Sequence, residues 1–302
     1  MERRHWTYVI LAGMVSMFVF CSGVAAIVSA TSGGEVEGKG QNKVGVLEVK
    51  GAIEKSDGFL KDLKHFRDND DIKAVVVRVD SPGGAVAPSQ EMHDAIAKTV
   101  KVKPVVIAMG NLAASGGYYL SVSATKIYAD PGTLTGSIGV IAEMPEVDAL
   151  MDKINVKMNV YRSGKLKDMG SPFRPPTDDD RKLFQSVIDD TYDQFLTAVA
   201  EGRHLKVEEV RPLADGRVFT GRQAKAKNLV DELGGFDEAT HAAVELAKLT
   251  GEPTLVYPAA DVKFDLREML KDDSRAVGEG LSAAVTARAT QGLFYLWPAG
   301  QR

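Results

Sequence analysis

The sequence predicts an α/β protein built around a parallel sheet. Apolar runs rich in β-branched residues predict strands at residues 44–49, 74–79 and 105–109. Between them, apolar side chains recur at helical spacing over residues 58–67 and 88–98. Strands that alternate with helices are typical of βαβ units, in which binding groups collect at the carboxyl ends of the strands. Candidate functional residues are therefore expected just after each strand.

Glycine-rich turns follow two of these strands. The second strand runs into Asp80-Ser-Pro-Gly-Gly84, and the third leads to Ser115, which lies between two alanines and two glycines before helix-compatible residues 118–122. Small neighbours let a substrate carbonyl approach a serine hydroxyl, and glycine amides can face a developing oxyanion. Ser115 is a candidate nucleophile on a strand-to-helix turn, with Gly84 and Gly116 beside it. The alternative is a tight turn whose serine only caps a helix.

Three blocks of sequence carry a family resemblance. Residues 80–84, residues 111–119 and Thr135-Gly-Ser-Ile-Gly-Val140 resemble the signature blocks of the bacterial signal peptide peptidase A family. Members are membrane-bound serine proteases with a Ser-Lys dyad, on a fold of repeated ββα and βαβ units similar to Clp proteases and crotonases. This chain resembles the short, single-copy form. The resemblance implies that Ser115 is the nucleophile and that the amides of Gly84 and Gly116 form the oxyanion hole. It also implies that no metal or organic cofactor is needed.

The serine needs a base, and the resemblance points to a lysine. None of the five histidines stands in a recognisable catalytic context, although a histidine base remains open because triads are defined by geometry. The segment Tyr161–Pro172 resembles the lysine block of the family, and Lys167, followed by Asp168, matches it better than Lys165. A lysine base must be desolvated to lose its proton near neutral pH. Ser137 is implied to hydrogen-bond this lysine and orient it.

The N-terminus predicts a membrane anchor. Residues 7–30 carry no charge and follow Arg3 and Arg4, and such a run is long enough to cross a hydrocarbon core of about 30 Å. The arginines favour a cytoplasmic start, which places the catalytic part on the periplasmic side of a bacterial inner membrane in a single-pass topology. A cleavable signal peptide is the competing interpretation. The only cysteine, Cys21, lies within this run, so an internal disulfide is excluded.

The remaining sequence suggests the domain organisation. Residues 1–30 form the predicted anchor, 31–42 a flexible linker, 43–250 the catalytic domain and 251–302 a partly helical tail. Within the catalytic domain, Thr177 and Thr220 are expected to cap a long and a short helix. A net charge of −4 without a basic face argues against nucleic acid as a partner.

The resemblance further implies partners and substrates. Protomers of the family assemble into a ring, often octameric, in which Ser115 of one protomer meets Lys167 of its neighbour. Hydrophobic peptides such as cleaved signal peptides are the implied substrates. Two other functions stay open: a crotonase-like acyl-CoA enzyme, which shares the scaffold and the oxyanion glycines, and a non-catalytic membrane scaffold.

Overall fold

The computed structural model describes residues 42–259 and 294–296. The predicted anchor, the linker up to residue 41 and most of the predicted tail lie outside the described residues. In the part of the chain that is described, no helix combines the length and the apolar character needed to cross a bilayer.

The elements follow the predicted alternation of strand and helix. The strands are β1 (Lys43–Lys50), β2 (Ile72–Ser81), β3 (Gly83–Ala85), β4 (Val105–Ala114), β5 (Lys126–Ala129), β6 (Leu134–Gly136), β7 (Val218–Thr220), β8 (Glu232–Leu233), β9 (Thr254–Val256) and β10 (Phe294–Leu296). The α-helices are α1 (Asp57–Asp68), α2 (Val86–Val100), α3 (Gly116–Ser121), α4 (Asp148–Lys153), α5 (Asp178–Arg203), α6 (Val207–Val210), α7 (Gly221–Lys225) and α8 (Phe236–Leu246), with a 3₁₀ turn at Arg211–Leu213.

The main sheet is mostly parallel. Its strand order is β7-β6-β4-β2-β1-β9, and β5 and β8 extend it from the first half of β4. Strand β4 is longer than predicted because its second half, Leu112–Ala114, leaves β5 and pairs with β6 instead. The single long strand therefore brings three turns to one end of the sheet: those after β2, β4 and β6.

Helices cover both faces of the sheet. Alternate residues of a strand point to opposite faces. Val44 packs in a cluster with Val76, Val106 and the alanines of α8, whereas a Cβ on the next residue, Gly45, would lie 2.5 Å from the ring of Phe66 in α1. The central strands are buried on both sides, as expected for a parallel sheet between helical layers.

Helix α5 begins as the sequence predicts. The hydroxyl of Thr177 accepts from the amide of Asp180, and the Asp180 carboxylate accepts from the amide of Thr177, which completes a capping box. The carboxyl-terminal half of the helix enters the core through Phe195, Leu196 and Val199. The cap that was predicted at Thr220 is present as well.

Candidate active site

Ser115 occupies a strained turn between β4 and α3. Its φ of 54° and ψ of −117° place a non-glycine residue in a backbone region that costs roughly 1–3 kcal/mol. The amide of Ser115 donates to the carbonyl of Gly136 at 2.8 Å, and its carbonyl accepts from the amide of Tyr119 at 2.8 Å. Among the described residues, its hydroxyl makes no helix-capping hydrogen bond. The turn is therefore not a simple serine cap, and its sharp strand-to-helix geometry is of the kind that can present a nucleophile.

The two candidate oxyanion glycines lie next to each other. A Cβ built on Gly116 would lie 3.2 Å from the amide nitrogen of Gly84 and 2.5 Å from Oγ of Ser89. Gly84 is equally confined, since its Cβ would lie 2.2 Å from the carbonyl oxygen of Ile53. Only glycine fits at either position, and the close approach puts two backbone amides beside the turn that carries Ser115. Such paired donors can stabilise a tetrahedral oxyanion.

The direction of the Gly84 amide follows from its neighbours. The carbonyl of Gly83 accepts from Ile53 N at 2.9 Å, and Ala85 N donates to the Ile53 carbonyl at 2.7 Å. Because successive peptide groups of a strand point to opposite sides, the N–H and C=O of Gly84 face away from Ile53. The strand on that side is β10, and its Tyr295 is in register with Gly84. An extended segment of this chain thus lies antiparallel against the candidate oxyanion strand.

Ser137 follows β6 at the place where Ser115 follows β4. Ala114 at the end of β4 pairs with Gly136 at the end of β6. Ser115 and Ser137 are the next residues of the two strands, so both lie at the same end of the sheet. Ser137 is buried, has a φ of 50°, and donates its amide to the Arg217 carbonyl at 2.9 Å. It also lines a cavity of about 330 Å³ whose other walls include Ile188 and Tyr192. The two predicted serines are therefore brought together.

Lys167 is exposed and makes no hydrogen bond to either serine among the described residues. Its backbone lies in a turn in which Lys167 N donates to the Gly164 carbonyl at 3.1 Å, and its side chain is exposed. The surrounding segment is bound to the start of α5: Arg174 forms ion pairs with Asp168 and Asp180. No hydrogen bond or ion pair links Lys167 to Ser115 or Ser137 in the described part of the chain.

The described histidines make other contacts. His93 lies near the site, with its ring centroid 5.1 Å from that of Tyr119, but its Nδ1 pairs with the carboxylate of Asp94. His241 pairs with Asp237, and His204 is the left-handed residue that ends α5. None is hydrogen-bonded to Ser115 within residues 42–259. In the same residues, no group of His, Cys, Asp and Glu side chains is arranged to hold a metal ion.

Comparison with known proteins identifies the family. The model of peptidase family S49 matches residues 97–250, and the Clp protease model matches residues 46–133. A Synechocystis sp. protein described as a protease is 38% identical over 78% of this chain and 85% of its own length.

The chain belongs to peptidase family S49.

A second relative agrees with this assignment. An Enterococcus faecium protein described as a signal peptide peptidase SppA is 36% identical over 73% of this S49 chain and 68% of its own length. Among solved structures, a mutant ClpP1 of Listeria monocytogenes has a TM-score of 0.44 and 16% identity over 64% of this chain and 93% of that one. Membership of family S49 makes the protein a serine peptidase, which confirms the activity predicted from the three sequence blocks.

Three features of this S49 peptidase were not predicted from its sequence. The cavity beside Ser137 is built from residues far apart in the chain, Val140, Ile188 and Ala214 among them. The pairing of β10 with Gly83–Ala85 joins segments about two hundred residues apart. The third is Arg174, which no motif singled out. Residues 251–302 were expected to be a partly helical tail, whereas residues 254–256 and 294–296 are strands, and nothing in the sequence indicated the pairing partner of β10.

Proposed function

We propose that this chain is a membrane-anchored endopeptidase that faces the periplasmic side and cleaves hydrophobic, extended peptides, signal-peptide remnants above all, with Ser115 and Lys167 as a dyad. The observation that carries the proposal is the strained Ser115 turn next to the amides of Gly84 and Gly116. The name of the E. faecium relative and the family resemblance supply the substrate class. The anchor is proposed from residues 7–30 alone.

The chemistry is a two-step acyl transfer. Lys167, in its neutral form, takes the proton of the Ser115 hydroxyl while Oγ attacks the peptide carbonyl carbon. The amides of Gly84 and Gly116 bind the oxyanion, and the lysine ammonium returns its proton to the leaving amine as the C–N bond breaks. Water then attacks the acyl-serine with Lys167 again as base, which frees the carboxylate product and restores the serine. Ser137 accepts a hydrogen bond from the lysine and holds it toward Ser115.

An extended substrate suits the edge beside Ser115. Segment β10 already pairs antiparallel with Gly83–Ala85, so this edge accepts a peptide strand through backbone hydrogen bonds. Backbone pairing reads extended conformation and tolerates many side chains. Unfolded peptides satisfy that requirement, whereas the strands of a folded protein are already paired with one another.

The base is proposed to come from a second copy of the chain. Lys167 is exposed and makes no hydrogen bond to Ser115 in the described part of the chain. The segment around it carries many exposed apolar side chains: Ile141, Met144, Leu150, Ile154, Val156, Met158, Val160, Tyr161, Leu166 and Phe173. Tyr161 is 96% exposed. A patch of this kind marks an interaction surface. A ring of copies, an octamer by family resemblance, would cover it and deliver each Lys167 to the next Ser115.

Two inactive variants test the dyad and its placement together. Ser115→Ala and Lys167→Ala are each expected to abolish cleavage of a fluorogenic hydrophobic peptide while the assembly, followed by light scattering, stays intact. If each site is shared between copies, mixing the two variants under subunit exchange restores part of the activity, since some interfaces regain both residues. If the mixture stays inactive after exchange is verified, the shared site is wrong. Full activity in Lys167→Ala would exclude the lysine as base.

A further inference from the structure

Arg174 connects the residue next to the proposed base to the start of a core helix. Its Nε and Nη2 donate to the two carboxylate oxygens of Asp168 at 3.0 and 3.1 Å, and Nη2 also reaches the Asp168 carbonyl at 3.3 Å. On its other side, Nη1 donates to Oδ2 of Asp180 at 2.6 Å and to the Pro175 carbonyl at 3.0 Å. One planar guanidinium therefore fixes both the backbone and the side chain of the residue that follows Lys167.

The anchor on the helix side is rigid. Asp180 has a side chain that is only 1% exposed, and its Oδ2 also accepts from the amide of Thr177 in the capping box of α5. Its other oxygen, Oδ1, is buried without a partner in the described residues, so the carboxylate depends on Arg174 and Thr177 to remain charged. The side chains of Asp168 and Arg174 are 10% and 24% exposed, whereas Lys167 is exposed to solvent.

The same contacts balance the charge beside the lysine. Arg174 and Arg162 both pair with Asp168, and together they lower the pKa of that carboxyl to about 2. On the α5 side, Asp180 pairs with Arg174, and Asp179 pairs with Lys165. Asp168, Asp179 and Asp180 are thus each matched by a cation, and among the described residues no ion pair joins Lys167 to a carboxylate. An unmatched carboxylate next to it would favour its ammonium form, which cannot act as a base.

We infer that Arg174 is a positioning residue for Lys167: it ties the lysine turn to the first turn of α5 and neutralises the carboxylate of Asp168 beside the amine. The inference rests on the proposed function, because Lys167 matters to the reaction only if it is the base.

The test uses the full-length assembled protein and a matched arginine as control. Arg174→Met is expected to lower kcat about 10- to 100-fold with little change in KM, since the base and not the peptide edge is disturbed. The acidic limb of its pH profile should move up by roughly half a pH unit, because Asp168 keeps only one cation. Arg174→Lys keeps the charge, so its acidic limb should stay at the wild-type position while kcat recovers in part.

Arg203 is the control because it makes the same kinds of contact away from the lysine. It pairs through both Nη atoms with Asp231 at 2.6 and 3.0 Å, donates to the Asn228 carbonyl, and is 7% exposed. Arg203→Met should lower Tm at least as much as Arg174→Met but leave the acidic limb in place. Arg174→Met combined with Asp168→Asn should return the limb to its wild-type position while kcat stays low.

The outcomes separate this inference from the function on which it rests. Activity that survives Lys167→Ala contradicts the proposed base and removes the premise with it. If Lys167→Ala is inactive, a wild-type kcat and pH profile in Arg174→Met overturns the positioning role. The positioning role is also overturned by a second pair of results. In that case Arg203→Met and Arg174→Met lose the same amount of kcat for the same drop in Tm, and the acidic limb of the Arg174→Met pH profile stays at the wild-type position. Arg174 would then only stabilise the fold.

Discussion

Substitution of Gly116 by alanine tests the geometry of the proposed oxyanion site. The new Cβ would lie 2.5 Å from Oγ of Ser89, whereas ordinary contacts between heavy atoms begin at about 3.5 Å, so something must move by roughly 1 Å. Ser89 cannot yield easily, because it is buried and its hydroxyl donates to the Ala85 carbonyl at 2.8 Å. The start of α3 is therefore pushed away from the amide of Gly84.

The expected cost follows from that displacement. A shift of about 1 Å at a reacting centre typically costs about 100-fold in rate, and loss of one oxyanion donor costs about 100- to 1,000-fold. We expect kcat for a hydrophobic peptide to fall at least about 100-fold in Gly116→Ala, with KM within a few-fold of wild type. The assay is steady-state cleavage of a fluorogenic peptide at fixed protein assembly, with Tm recorded for each variant.

A second substitution makes the reasoning refutable. Ser89→Ala removes the atom in the way, after which the nearest contact of the new Cβ is Gly84 N at 3.2 Å, a shortfall of only a few tenths of an ångström. Ser89→Ala with Gly116→Ala should therefore recover at least about tenfold of the lost rate. Gly58→Ala, where a Cβ meets nothing within 4 Å, serves as the neutral control. A double variant no faster than Gly116→Ala, or a Gly116→Ala enzyme at wild-type rate, would refute the argument.

Three further changes have defined outcomes. Lys103→Met removes the ammonium that donates to the carbonyls of Phe66, Asn69 and Ile72 at 2.8, 2.9 and 2.7 Å. Urea denaturation should show a loss of about 1–3 kcal/mol in unfolding free energy. Lys101→Met, at an exposed position, should change the unfolding free energy little. Ion pairing lowers the pKa of Asp168 from 3.8 to about 2. The stability that this carboxylate gives the folded segment is therefore nearly complete above about pH 4 and is lost as the pH falls toward 2. Protease cleavage within residues 160–175 should rise over that pH window in wild type and lose that pH dependence in Asp168→Asn. Tyr295→Pro deletes a backbone amide from β10 and should weaken its pairing with Gly84, so that KM for an added peptide falls several-fold, whereas Tyr295→Phe, which keeps the amide, should match wild type.

The sequence was a good guide where local chemistry decides structure. Short runs of β-branched residues such as 74–79 favour a buried strand, so β2 was predictable. The caps at Thr177 and Thr220 were predictable as well, because each depends on side chains three residues apart. The placement of Gly84 and Gly116 at strand ends also followed, because parallel strands bring their carboxyl ends to one edge.

The remaining features depend on contacts between distant segments. The extension of β4 to Ala114 is fixed by its change of partner from β5 to β6, which no local pattern records. Arg174 resembles any surface arginine until the folded chain places Asp168 and Asp180 on either side of it. Ser115 and Lys167 were both singled out, yet spacing in the sequence could not show that Lys167 is exposed and without a hydrogen bond to Ser115 among the described residues.

The most direct test of the central claim is covalent labelling of the nucleophile. The assembled protein is treated with a hydrophobic peptidyl fluorophosphonate, and the site and rate of modification are read by intact mass and peptide mapping. The account predicts one label per chain, on Ser115, with a rate that drops sharply in Lys167→Ala and no label in Ser115→Ala. Modification of another residue in parallel with loss of activity, or an equal rate of Ser115 labelling in Lys167→Ala, would contradict it.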